Sequence, residues 1–144
     1  MEKPIISAEE FKANYDLDIS EHIETRPGKF EAKYLTWSIA QMLLKQAHPQ
    51  VHTDLERIDG SPIFSFGDQA FVQPFLTDGT NRTPAIFYPV MDNAFHGKNN
   101  ASVTEINKSV MRACVKAIAV FTGIGLKLFT GEDLPDADNG QTTG

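Results

Sequence analysis

The sequence predicts an α+β domain: a small antiparallel sheet with a long helix packed on it and a shorter helix before it. Three observations predict this class. Two segments, Tyr34–Ala47 and Ser102–Phe121, repeat apolar residues at helical spacing. Between them, residues 51–91 have an extended pattern broken by turn signals at Asp59-Gly60, Gly67-Asp68 and Asp78-Gly79. The chain has 144 residues, room for one domain with a respectable core.

The first 31 residues are polar, acidic and interrupted by Pro4, Pro27 and Gly28. Ser7 and Glu10 stand three apart, the spacing of a capping box that opens a short helix. This region is expected to be an arm or a lightly packed extension. Tyr34–Ala47 is the first solid helix, starting near Lys33 or Thr36. Leu35, Ile39, Met42, Leu43 and Ala47 form its apolar stripe, and Pro49 ends it. Trp37 on this helix suits a core or interface anchor better than a base-stacking platform.

The extended region then supplies the strands. Val51–Asp59 is the first, followed by a turn through Pro62. Ile63–Phe66 begins the second, Gln69–Thr77 is the third, and Thr83–Met91 returns after a hairpin loop through Arg82. Pro74 and Pro89 cannot donate to a ladder, so each marks an edge or a bulge. Both faces of the last two strands are apolar: Ala70, Val72 and Leu76 oppose Phe71 and Phe75, and Phe87 and Met91 oppose Ile86, Tyr88 and Val90. A small antiparallel sheet normally leaves one face wet, so the second face is expected to be covered by the arm or by another subunit. Among the phenylalanines, Phe64, Phe66, Phe71, Phe75, Phe87 and Phe95 are candidates for base stacking, with a core role expected for most.

Asp92–Ala101 reads as a polar loop. Ser102 with Glu105 is a second capping box, opening the long helix. Ile106, Val110, Ala113, Cys114, Ala117 and Phe121 make its buried stripe, so the lone cysteine is expected to be a buried thiol. Gly123 and Gly125 stop the helix. Leu126, Leu128 and Phe129 are expected to be a short strand or extended end. We divide the chain into an N-terminal arm (1–31), a core domain (32–135) and a flexible tail (136–144). The tail composition is disorder-like.

The net charge is −6, which on its own disfavours a polyanionic ligand. The charge is segregated, however. Residues 1–24 hold seven acids against Lys3 and Lys12, and residues 132–138 hold Glu132, Asp133, Asp136 and Asp138. Residues 98–127 instead carry Lys98, Lys108, Arg112, Lys116 and Lys127 against Glu105 alone. A local basic face governs phosphate binding more than the total does. Lys108, Arg112 and Lys116 are four apart, which sets them on one flank of the helix about 6 Å apart along its axis. Lys98 on the preceding loop and Arg82 on the hairpin extend the track. From spacing alone, a phosphate-binding ridge and an ordinary solvated helix face are equally good readings.

Catalytic patterns are weak. The chain has no GxxxxGK[ST], GxSxG or HExxH, and no catalytic residue, metal ligand or cofactor is expected. His48 and His52 are four apart, but Pro49 breaks any shared helix. Asp54, Glu56 and Asp59 with Glu31-Ala32-Lys33 are the ingredients of a metal-dependent nuclease in the wrong order. Glu132 and Asp133 read as a solvated acidic exit. No apolar run approaches the ~20 residues that span a bilayer, and the N-terminus lacks an apolar leader, so a cytoplasmic protein is expected.

The residues Pro89-Val90-Met91-Asp92, Ile106-Asn107, Met111-Arg112-Ala113, Val115-Lys116-Ala117, Gly123–Leu126 and Gly131-Glu132-Asp133-Leu134-Pro135, with the opening Tyr34-Leu35-Thr36-Trp37, carry a resemblance. Over roughly residues 33–135 the chain resembles phage single-strand annealing proteins of the Sak-three type, within the Erf and Rad-fifty-two-like superfamily. The resemblance implies a β-β-β-α core that assembles into rings or filaments. It implies ATP-independent binding and annealing of single-stranded DNA in homologous recombination, inside a bacterial host cell. Single-stranded DNA, the annealed duplex and further copies of the chain are the implied partners, with a phage exonuclease and a single-strand-binding protein beside them. By likeness Arg112 maps to a DNA-contacting arginine, and Lys116 matches the family's Val-Lys step. Lys108, Lys98 and Arg82 rest on charge geometry. The alternatives are a metal-dependent nuclease or junction resolvase, and a non-catalytic adaptor domain.

Overall fold

The computed structural model describes residues 4–26, 32–91, 97 and 100–129. Its elements run α1 (Ala8–Tyr15), a 3-10 turn (Ser20–His22), β1 (Glu24–Arg26), β2 (Ala32–Tyr34), α2 (Trp37–Ala47), β3 (His52–Leu55), β4 (Phe64–Phe66), β5 (Gln69–Val72), β6 (Pro74–Thr77), β7 (Tyr88–Pro89), α3 (Val103–Thr122) and a 3-10 turn (Leu126–Phe129). This is the α+β arrangement that the sequence predicts, with α3 packed across the strands.

Both capping boxes form. The Ser7 hydroxyl accepts from the Glu10 amide at 3.0 Å and the Glu10 carboxylate accepts from the Ser7 amide at 2.8 Å. Ser102 and Glu105 repeat the exchange at 3.1 and 3.0 Å. Each box satisfies two N-terminal donors that would otherwise lack partners, and losing such a cap costs about 1 kcal/mol. α3 ends at Gly123, whose φ of 89° is a left-handed cap that disfavours any side chain.

Four expectations about the elements need correction. α2 begins at Trp37, with Thr36 as its cap. Tyr34 belongs instead to β2, paired with Glu24 of β1. A partner strand so early in the chain leaves no trace in local periodicity. The single strand expected over Gln69–Thr77 divides at Gln73. β5 pairs with β4 and β7, while β6 pairs with β3, so the strands form a three-stranded sheet and a separate two-stranded one. Pro74 has no N–H to continue the first ladder, and the Gln73 carbonyl accepts from the Glu56 amide at 3.0 Å.

Thr83–Met91 is the third correction, because only Tyr88–Pro89 joins a ladder. The rest is tied on by single bonds, from Thr83 N to Leu76 O, Ile86 N to Pro74 O and Val90 N to Ala70 O. Pro84 and Pro89 deny the segment regular donors. The fourth is Leu126–Phe129, which curls into a 3-10 turn through bonds from Leu126 N to Gly123 O and Leu128 N to Gly125 O.

The core has two parts joined by α3. Toward its C-terminus, Ala117 and Ile118 pack with Leu35, Ala40, Leu43 and Leu44 around α2, and with Val51, Leu76 and Ile124. Nearer its middle, Ala113 packs with Ala70, Val72 and Val90 on the inner face of the three-stranded sheet. Fully burying a side chain such as Leu44 or Ile118 stabilises by roughly 1.5–3 kcal/mol. The Ser109 hydroxyl adds a polar link by accepting from the Met91 amide at 3.0 Å.

Candidate nucleic-acid interface

The candidate interface is the flank of α3 that the core leaves uncovered. The helix has 20 residues, and Ser109, Ala113, Cys114, Ala117, Ile118, Ala119 and Thr122 are buried on the sides that touch the sheets and the other helices. Lys108 is exposed, and Arg112 and Lys116 are half-buried. A long cationic side chain can be half-buried with its methylene stem lying on protein. Steps of four residues climb about 6 Å and drift about 40° around the axis, so the three cations trace a shallow spiral some 12 Å long. The Lys116 ammonium lies 5.8 Å from the Phe129 ring centroid, a contact made available by the 3-10 turn that closes the domain.

Other cations counted in the sequence are engaged differently. The Arg82 guanidinium forks onto Glu56, with Nη1 to Oε1 at 3.1 Å and Nη2 to Oε2 at 2.9 Å. Its Nε donates to the Thr83 carbonyl at 2.9 Å, and its plane sits 3.6 Å from the Phe75 ring centroid. The Arg82 hydrogen bonds hold the Glu56 carboxyl below its usual range. Arg82 therefore fastens the hairpin loop to the exit of β3 with its charge matched by Glu56. Lys127 pairs with Asp16 at 3.8 Å and lies over the Tyr15 ring. Lys98 falls outside the described residues, as do Phe95, Glu132 and Asp133.

Two of the carboxylates that suggest a nuclease, Asp54 and Glu56, are also engaged. Asp54 accepts from the Leu55 amide at 2.8 Å and from Arg57 at 3.1 Å, and the Leu55 bond first, then Arg57, lowers its pKa. Among the described residues no group of three His, Cys, Asp or Glu side chains is placed to hold a metal ion. His48 is buried beside Asn14. Cys114 is buried as expected, and burial pushes its thiol up. No helix among the described residues is long and apolar enough to cross a membrane.

The aromatic residues divide in a way that sequence counting did not resolve. Phe75 is buried and Phe64 and Phe71 are half-buried, whereas Phe66 is 81% and Phe87 is 72% exposed. Trp37, expected to be an anchor, is 53% exposed. Strand alternation shows which side a phenylalanine takes. Whether that side is covered depends on the rest of the fold.

The family model described as Sak Single Strand Annealing Protein matches residues 9–143. No curated protein and no solved structure matches the chain.

Proposed function

This chain belongs to the Sak single-strand annealing proteins, and we propose that it pairs complementary DNA strands without ATP, along the α3 ridge of several copies set side by side. The observation that carries the reading is the family match over residues 9–143, nearly the whole chain. The row of cations on α3 supports the reading.

Two DNA strands repel each other, and annealing needs their phosphates neutralised while the base edges stay free. A row of cations on a rigid helix suits this task. Arg112 can fork onto a phosphate, and Lys108 and Lys116 act as movable point charges. Neither type reads base edges when it is bound to phosphate, so pairing is left to the strands. Lys98 stays in the proposed set on its charge. Arg82 is left out, because Glu56 already matches it.

One protomer offers few phosphate contacts, so useful affinity requires many copies on one strand, in a ring or filament. The acidic remainder of a chain with net charge −6 would discourage DNA from binding elsewhere. The strands must reach the protein single, which calls for an exonuclease acting before it and brings it among single-strand-binding proteins.

The test is the pairing of two dye-labelled complementary oligonucleotides, followed by energy transfer with no nucleotide triphosphate present. The wild-type protein should accelerate pairing over the protein-free rate. The Arg112→Ala, Lys116→Ala double variant should lose about tenfold or more of that acceleration with an unchanged circular dichroism spectrum. An unchanged rate would remove the ridge from the site. Absence of any single-strand binding at low salt would end the annealing reading for this chain.

A further inference from the structure

The three-stranded sheet has a second apolar face that the described residues leave partly uncovered. Its inner face carries Ala70, Val72 and Val90, packed on Ala113. The opposite face carries Phe64 and Phe71, directly paired across β4 and β5, with their rings stacked at 5.6 Å. Phe87 meets Phe71 edge-on at 5.2 Å. Phe66 lies two residues beyond Phe64 on the same side of β4, which is one of the two edge strands of this sheet. We propose that this aromatic face is where a second copy of the chain docks; the need for multiple copies rests on the annealing reading above.

Area argues for a docking surface. Phe66 and Phe87 are 81% and 72% exposed, and a phenylalanine offers roughly 150–250 Å². Together they leave on the order of 300 Å² of apolar surface, before the half-covered rings are counted. A standard interface buries about 800 Å² per partner around an apolar centre, so this patch has the size of such a centre. Phe64, Phe71 and Phe87 also brace one another, so these three rings have less side-chain freedom to lose on contact.

Charge argues for the identity of the occupant. Residues 61–72 and 83–91, which supply β4, β5 and β7, contain one charged side chain, Asp68. A single-stranded nucleic acid would find rings for its bases to stack on but no cation in these segments for its phosphates, whereas stacking platforms for it combine both. Two copies of a chain with net charge −6 repel over most of their surface. They can approach closely where charge is nearly absent, and this face is such a place.

The experiment is light scattering on size-exclusion fractions across protein concentrations, for the parent and for Phe66→Ser, Phe87→Ser, with circular dichroism and a thermal melt to verify folding. The parent should elute as a multiple of its 16.0 kDa protomer, and the variant should shift toward the protomer mass. Its affinity for a long oligonucleotide should fall about tenfold or more, and for one short enough for a single protomer by less than about threefold, because only avidity is lost. If the double variant melts early, the single Phe66→Ser, at the most exposed ring, carries the test. A parent that is monomeric throughout, or a folded variant that keeps the parent's mass, overturns the proposal. A variant of unchanged mass that loses short-oligonucleotide binding overturns it in favour of a base-stacking surface. Assembly that depends on Phe66 and Phe87 with no strand binding at all would sustain this inference while ending the annealing reading.

Discussion

The side-chain amide of Asn14 lies 2.7 Å from Nε2 of His48, and both residues are less than a tenth exposed. The same amide nitrogen donates to the Thr122 carbonyl at 2.9 Å. A carbonyl can only accept, so the NH₂ end of Asn14 faces Thr122 and its other hydrogen points at the ring. His48 must then present the lone pair of Nε2 and carry its proton on Nδ1, which faces Glu10 at 3.9 Å. One amide thus joins α1, the C-terminal cap of α2 and the end of α3. Replacing Asn14 with Ala should cost about 1–3 kcal/mol, since a buried carbonyl and a ring nitrogen lose their donor. Urea unfolding would measure it, and a cost within error of zero would show that the bridge contributes nothing. Asn14→Asp should be worse, because it sets a carboxylate against an acceptor.

Gly123 should tolerate no side chain, for two reasons that add. Its φ is 89°, and a Cβ there would stand 2.7 Å from the Phe11 carbonyl oxygen of α1. Gly60 has a similar φ of 82° with nothing nearby. Gly60→Ala should therefore lose only the conformational term, about 1 kcal/mol. Gly123→Ala should lose more, and it should loosen α1. Paired thermal melts would decide, and equal losses would show that α1 yields without cost.

The Glu56–Arg82 pair predicts a pH effect of definite sign. The folded-state pKa of Glu56 is depressed below the ordinary 4.5 by its bonds to Arg82. The pair's contribution is therefore fully present above about pH 4.5, and it is lost as pH falls through the folded-state value. Both side chains are 38% exposed, so solvent limits the effect to about 1 kcal/mol at most. Glu56→Gln should narrow the stability difference between neutral and acid conditions in urea titrations. An undiminished acid loss in that variant would assign it to other carboxylates.

Salt dependence separates the ridge from the other cations. Each phosphate contact on single strands contributes about 0.7 to the slope of log affinity against log salt. Arg112→Ala with Lys116→Ala should flatten that slope by roughly 1.4 for each protomer bound. Arg82→Ala should leave it unchanged, because Glu56 already balances that charge. Titrations of a labelled oligonucleotide at several salt concentrations provide the readout. A flatter slope in the Arg82 variant would bring that residue back into the site.

Local sequence determined the parts of this protein that depend on near neighbours. Ser7 with Glu10 and Ser102 with Glu105 set two helix starts, Gly123 set a helix end, and four-residue steps put Lys108, Arg112 and Lys116 on one flank. Each involves residues within a turn or two, where spacing alone fixes geometry. The family motifs were legible for the same reason, being short strings of adjacent residues. Tertiary structure decided what depends on distant partners. It paired Glu24 with Tyr34, split the strand at Gln73, and set Arg82 against Glu56, 26 residues away. It also covered Phe75 while leaving Phe66 and Phe87 exposed. Periodicity shows that a residue is apolar and which way it points. Burial and charge pairing depend on what arrives from elsewhere in the chain, and only packing brings those surfaces together.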